Sequence, residues 1–142
     1  MYSIDTPAYH LTVGCADGLF SYNRGGSCRV IQGPVFEVDG EDLAPVFTSV
    51  ALTAKEKLTD HLTEYRFDCA YATGQDLTLS LLLRVADGSP VVKFKYILRG
   101  EGTHRLTKSK GERLEYGGVQ LRENETLTEV RFSEFNAMLH SF

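Results

Sequence analysis

The sequence has no run of apolar residues long enough to cross a membrane, since a transmembrane helix needs about 20 of them in a row. Its first residues, Met1–Asp5, lack the basic start and the apolar stretch of a secretory signal, so we expect a cytoplasmic protein. The net charge of −4 arises from interspersed acids and bases, which form no basic field to hold a phosphate backbone. We therefore expect neither a membrane nor a nucleic acid as partner.

Residues that bind metals are few and scattered. The cysteines Cys15, Cys28 and Cys69 include no CxxC pair, and the 4 histidines include no HxH or HExxH spacing. Zinc sites need ligands paired at short spacing, so we expect no metal and no cofactor. A reducing compartment disfavours a disulfide between Cys15 and Cys28. Cys69 falls on an alternating apolar face, which predicts a buried thiol.

Catalytic and nucleotide-binding motifs are incomplete. The segment Lys108–Arg113 lacks the first glycine of a phosphate-binding loop, and Gly14–Gly18 does not match GxGxxG. Ser27 lacks the second glycine of a nucleophile elbow. Among the 19 acidic residues, no two stand out as the carboxylate pair of a glycosidase. We expect no catalytic residue in this chain.

What the sequence does contain is an alternation of apolar and polar residues. The alternation is strongest in three runs joined by turn-forming residues, namely Tyr65–Tyr71, Leu77–Val85 and Val92–Leu98. A period of two over neighbouring runs predicts a three-stranded antiparallel meander with one buried face. The opposite face carries Leu82 and Ile97 among polar residues, so we expect another element to cover part of it and apolar surface to be exposed there otherwise.

Shorter apolar runs fill the N-terminal third. They are Tyr9–Val13, Leu19–Tyr22, Arg29–Ile31, Val35–Val38 and Val46–Leu52. Close spacing and frequent turn residues favour a sandwich over βαβ units. We predict one all-β domain over residues 1–142, an antiparallel β-sandwich with room for one or two short helices. One helical alternative is a capping box at Thr53 and Glu56, followed by apolar residues at helical spacing.

The C-terminal part predicts an irregular strand near Leu114–Leu121 and a last strand at Val130–Phe132. A one-sided helical stripe follows, formed by Phe135, Met138, Leu139 and Phe142. An apolar face on the final residue suggests that the stripe packs onto the sheet or that the chain is a fragment of a longer multidomain protein. It also suggests a homo-oligomer.

Three stretches carry a resemblance to a known family: Leu77–Phe94, Gly111–Tyr116 and Val130–Asn136. Together they resemble the N-terminal β-sandwich, a mutarotase-like supersandwich, of bacterial α-galactosidases of glycoside hydrolase family 36. In those enzymes the catalytic acids lie on a later barrel. The resemblance implies a non-catalytic accessory domain that packs on an adjoining catalytic domain, with carbohydrate as its other partner. The carbohydrate-contact candidates are Tyr116, Glu134, Asn136 and His140.

Two other functions stay open. A stand-alone carbohydrate-binding module would present tyrosines such as Tyr22, Tyr71 and Tyr116 to sugar rings, although core packing is the plainer role for such residues. A small mutarotase-type sugar epimerase would use His61, His104 or His140 with a glutamate as acid and base.

Overall fold

The fold is described by a computed structural model that covers residues 1–74 and 76–108, together with the backbone of residues 118–119. Within these ranges the regular structure consists of strands, and no helix occurs, membrane-spanning or otherwise. The strands are β1 (Tyr2–Asp5), β2 (His10–Val13), β3 (Phe20–Arg24), β4 (Ser27–Gln32), β5 (Phe36–Val38), β6 (Glu41–Leu43), β7 (Phe47–Thr59), β8 (Leu62–Tyr71), β9 (Leu77–Ala86), β10 (Val92–Gly100) and β11 (Gly118–Val119). The predicted all-β antiparallel fold is confirmed.

The N-terminal strands form a five-stranded antiparallel sheet in the order β1-β2-β3-β4-β11. Its tightest hairpin, between β3 and β4, turns at Gly25 and Gly26, whose φ angles are 56° and 77°. Glycine adopts such angles without strain, and a turn of this hand matches the twist of the flanking strands. Strand β1 was not predicted from the sequence, whereas β11 lies within the predicted irregular strand.

The predicted meander forms most of a four-stranded sheet in the order β10-β9-β8-β7. In its register Phe67 lies opposite Leu81, and Cys69 lies opposite Leu79. These residues are buried, as the alternation predicted. The short β5–β6 hairpin forms a third, two-stranded sheet.

The core lies between the two large sheets, where aromatic rings from one meet residues of the other. Tyr2 of β1 meets Phe67 of β8 edge-on, with 5.4 Å between ring centroids. Phe20 of β3 meets Phe94 of β10 in the same manner, also at 5.4 Å. Edge-to-face contacts of this kind add to the apolar area that each ring removes from water. The sheets are therefore joined as the two layers of one β-sandwich.

The helical alternative that began at Thr53 is wrong. Thr53 and Glu56 lie in β7, which pairs along its length with β8. The pairing shifts register between Leu52 and Ala54 and again between Lys57 and Thr59. Each such irregularity changes which face the following residues occupy, so the alternation that marks a strand is lost from the sequence.

On the outer face of the meander, where exposed apolar surface was expected, Val91 is 57% exposed but Leu82 is only 8% exposed. Its neighbours across the sheet are Arg66 on β8 and Lys95 on β10. Long basic side chains lay their aliphatic stems along apolar surface while keeping the charge in water. Ile97, two residues beyond Lys95, is half-buried.

The cysteines are all free thiols in different surroundings. Cys28 is exposed, Cys15 is half-buried and Cys69 is buried in the core, as predicted. Burial raises the pKa of the Cys69 thiol to about 12. Burial also raises the pKa of Cys15, whose Sγ–H donates to the Gly18 carbonyl oxygen at 3.2 Å.

Thiol labelling should follow this order. We expect a disulfide reagent to modify Cys28 rapidly in the folded protein, Cys15 slowly and Cys69 only after unfolding, because the thiolate is the reactive form. Mass spectrometry of digests taken over time measures the three rates. The variant Cys28→Ser should lose the fast phase alone. Rapid labelling of Cys69 without denaturant would contradict its place in the core.

Candidate functional site

The predicted carbohydrate contacts Tyr116, Glu134, Asn136 and His140 lie outside the described residues. The same holds for the apolar stripe that ends at Phe142. Two of the candidate tyrosines, Tyr22 and Tyr71, lie within the described residues, and both pack against other aromatic side chains. Tyr71 is 3% exposed, and its ring lies 4.8 Å from that of Phe47.

Tyr22 also makes its contacts within the sandwich. Its hydroxyl donates to the carbonyl oxygen of Pro90 at 2.5 Å, and its ring lies 4.9 Å from that of Tyr9. Tyr22 and Tyr71 therefore follow the plainer prediction of core and hairpin packing.

The described histidines differ in their surroundings. His61 lies exposed in the turn between β7 and β8. His10 of β2 contacts the exposed Asp5 of β1 through Nδ1, and its Nε2 lies 3.2 Å from Thr12 Oγ1 on the same strand. His104 follows β10 and borders a cleft. The site is built around it.

One wall of this site comes from the turn between β5 and β6. Asp39 occupies that turn with a φ of 53°, a left-handed conformation that aspartate tolerates better than most residues. Its Oδ2 lies 2.7 Å from His104 Nδ1, and its Oδ1 accepts the Arg105 backbone N–H at 2.9 Å. The Asp39 backbone N–H donates to the Arg105 carbonyl oxygen in return, at 2.8 Å. The turn and the segment after β10 are thereby held together.

The opposite wall comes from the loop before β9. Asp76 Oδ2 lies 2.5 Å from His104 Nε2, and the Asp76 carbonyl oxygen accepts the Glu101 N–H at 3.2 Å. The imidazole passes close to the end of β10, where a Cβ on Gly100 would lie 2.7 Å from His104 Cδ2. Only glycine leaves room for the ring at that position.

The electrostatics of the site follow from this arrangement. The hydrogen bonds to Asp39 and Asp76 raise the pKa of His104, since both carboxylates favour the protonated ring. The hydrogen bond from His104, followed by that from the Arg105 N–H, lowers the pKa of Asp39. An imidazolium donates from both ring nitrogens, which is what two flanking carboxylates require.

His104 borders an open cleft of about 290 Å³. Its lining combines apolar side chains with a polar rim: Val38, Leu77, Leu98 and Leu106, together with Arg99, Gly100, Gly102 and His104. An apolar surface with a few converging polar groups is the usual composition of a small-molecule site. Within the ranges that the structure describes, no three or more His, Cys, Asp or Glu side chains are grouped to hold a metal ion.

Arg99 connects the cleft to a polar cluster on the outer face of the four-stranded sheet, which we call the Asp68 cluster (Arg66, Asp68, Ser80 and Arg99). Ser80 Oγ donates to Asp68 Oδ1 at 2.7 Å, and Arg99 Nη2 donates to Asp68 Oδ2 at 3.2 Å. Arg66 Nε donates to Asp68 Oδ1 at 3.3 Å. Burial raises the pKa of Asp68, but the bonds from Ser80 and Arg66 outweigh it and leave the pKa below its usual range.

Comparison with known proteins identifies no relative, since no family model, no curated protein and no solved structure matches the chain.

The His104 site should make stability depend on pH. Because its pKa is raised in the folded state, its contribution is complete below the unfolded value of about 6.5 and is lost as pH rises through the folded value. We expect urea unfolding, measured from mildly acidic to mildly alkaline pH, to show a difference in the free energy of unfolding between the wild type and His104→Gln that shrinks as pH rises. His61→Gln, in an exposed turn, is the matched control. A difference in the free energy of unfolding that stayed constant with pH would contradict the pairing of a protonated His104 with the two aspartates.

Proposed function

We propose that the chain is a non-catalytic accessory β-sandwich of a carbohydrate-active enzyme, docked on a catalytic domain, and that it contacts saccharide in the cleft beside His104. The cleft is the observation that supports a ligand site. The resemblance of Leu77–Phe94, Gly111–Tyr116 and Val130–Asn136 to α-galactosidase N-terminal domains supports carbohydrate as the ligand class and a catalytic domain as the partner.

The composition of the cleft suits a sugar ring. A monosaccharide offers apolar C–H faces to Leu77 and Leu98, while its hydroxyl groups need both donors and acceptors. The Asp76 carboxylate beside His104 can accept hydrogen bonds from those hydroxyl groups. The volume of about 290 Å³ is near the lower end of the usual range for ligand sites, which favours one sugar unit over a long chain.

The hydrogen bonding of His104 favours binding over catalysis. A general base needs an unprotonated nitrogen within reach of the substrate. Both ring nitrogens of His104 already face carboxylate oxygens, at 2.7 Å and 2.5 Å. The ring therefore orients Asp39 and Asp76 and donates its protons to them.

The binding experiment is an NMR titration of the chain with a broad panel of monosaccharides and disaccharides. We expect amide shifts at Leu98–Gly102 and at Asp39, and we expect Asp76→Asn to weaken them. Asp87→Asn, in the turn between β9 and β10, is the matched control that should leave them unchanged. If no sugar in the panel shifted the cleft amides, the proposed ligand site would be rejected.

A second candidate is the mutarotase-type epimerase, because a histidine and carboxylates do converge in one cleft, although the carboxylates are aspartates. Polarimetry distinguishes the two functions. Faster mutarotation of α-D-galactose by the wild type, lost in His104→Gln, would support the epimerase. Sugar binding without faster mutarotation would support the accessory domain.

A further inference from the structure

The outward face of the five-stranded sheet carries a second histidine with hydrogen-bonding partners. His10 lies at the start of β2, opposite Asp5 on β1, and its Nδ1 contacts Asp5 Oδ1. Its Nε2 lies 3.2 Å from Thr12 Oγ1 on the same strand. We propose that Thr12, His10 and Asp5 act as nucleophile, base and orienting carboxylate in the hydrolysis of small carboxylic esters. This activity is separate from the proposed accessory role, in which glycoside hydrolysis belongs to the adjoining catalytic domain.

The register of the sheet brings these three side chains together. The pairing of β1 with β2 sets Asp5 beside His10, and the two-residue repeat of a strand sets Thr12 on the face that His10 occupies. Leu11 and Val13, which alternate with them, point into the core and are 0% and 1% exposed. Core packing therefore fixes the backbone of the site. The side chains of Asp5 and His10 are 79% and 41% exposed, so a substrate can reach them.

The contacts of His10 define which ring nitrogen can act as the base. An ionised carboxylate only accepts hydrogen bonds, so Asp5 favours a proton on Nδ1. The neutral ring then presents an unprotonated Nε2 to the Thr12 hydroxyl group, which is the arrangement that general-base catalysis requires. His104 differs, because aspartates face both of its ring nitrogens. Of these two histidines, only His10 joins a carboxylate to a hydroxyl group.

A side-chain amide lies beside the base on the next strand. Asn23 of β3 is opposite His10, and Ser21 is opposite Thr12. Asn23 Nδ2 donates to Ser21 Oγ at 3.2 Å and to the His10 carbonyl oxygen at 3.4 Å. Both bonds are long, so exchanging one of them for a bond to the ester oxygen costs little. That oxygen gains negative charge in the transition state, which an amide donor stabilises.

The reaction balances with water as the second substrate. Thr12 Oγ1 forms a bond to the ester carbonyl carbon while its proton passes to His10 Nε2. The bond from that carbon to the leaving alcohol then breaks, and the alcohol takes the proton, which leaves the acyl group on Thr12. Water, deprotonated by the same Nε2, hydrolyses this ester and restores the hydroxyl group. Asp5 stabilises the imidazolium that forms in both steps.

The test uses p-nitrophenyl acetate with the full chain. Mass spectrometry of digests locates the acetyl group and measures how fast it forms. The exposed thiol of Cys28 would compete for it, so Cys28→Ser serves as the parent protein. We expect acetylation of Thr12, slowed about a hundredfold by His10→Gln and about tenfold by Asp5→Asn. Thr12→Ser should be acetylated at the same position. His61→Gln, in an exposed turn, is the control and should match the parent.

The position of the acetyl group decides the outcome first. Acetyl groups on lysines or on the N-terminus, with none on Thr12, would overturn the proposal. A rate of Thr12 acetylation that folded His10→Gln left unchanged would overturn it as well, and so would an equal loss of rate in His61→Gln. Circular dichroism checks the folding of each variant. If His10→Gln did not fold, an unchanged rate in Asp5→Asn would reject the role of the histidine and its carboxylate.

Discussion

Truncation of Phe67 to alanine is expected to lower the free energy of unfolding by about 3–5 kcal/mol, the usual cost of removing a fully buried phenylalanine. Phe67 is 0% exposed in the middle of β8. It lies opposite Leu81 in its own sheet, and it meets the ring of Tyr2 from the other sheet at 5.4 Å. Its loss would leave a cavity where the two layers join, and neither sheet could close that space without moving as a whole.

Urea unfolding followed by far-UV circular dichroism measures this effect, and Phe94→Ala is the matched control. Phe94 is also an inward aromatic residue, packed on Phe20, but it lies on an edge strand and is 41% exposed. We expect its truncation to cost less than half as much. Equal losses from the two substitutions would show that the sandwich does not close around Phe67.

The meander could be predicted because one face of the sheet is buried. In β8 and β9 a slip of one residue would turn Phe67 and Leu81 to the outside, so the alternation must match the pairing. The strands β1 and β6 carry no such pattern. They are short, and β6 (Glu41–Leu43) is held by its hairpin with β5 more than by an apolar face of its own.

His104 was one of three histidines considered for an epimerase, but its partners Asp39 and Asp76 could not be predicted, because they are distant from it in the chain. His104 lies 65 positions from Asp39 and 28 positions from Asp76. The pairing of β9 with β10 and the bridge between Val38 and Leu106 bring them together. The turn signal at Asp39–Gly40 was visible in the sequence. The contact between the Asp39 carboxylate and the His104 imidazole depends on the path of the chain after β10. No pattern in the neighbouring sequence predicts that path.

The arginines of the Asp68 cluster were equally beyond prediction. In the sequence Arg66 and Arg99 are polar residues on the outer face of an alternating strand, where solvation is the ordinary expectation. Their role depends on the register, which places Asp68 opposite Ser80 and Arg99 opposite Thr78. A small buried hydroxyl on β9 thus lets side chains from both neighbouring strands meet above it.

The second large effect is expected from Asp68→Ala, which should cost about 1–3 kcal/mol. Ser80, at 0% exposure, would lose the acceptor that its hydroxyl contacts at 2.7 Å, and the guanidiniums of Arg66 and Arg99 would lose the charge between them. The partial exposure of Asp68 and the arginines keeps the loss below that of Phe67→Ala. Asp87→Ala, in an exposed turn, is the control and should change stability by less than about 0.5 kcal/mol.

Lowering the pH removes the negative charge of Asp68 without changing the size of its side chain. Because its pKa is lowered in the folded state, its contribution is present above the unfolded value of about 3.9 and is lost as pH falls through the folded value. The stability gap between the wild type and Asp68→Asn should therefore narrow below about pH 3.9. A stability gap that stayed constant below about pH 3.9 would show that the charge of Asp68 does not contribute to stability.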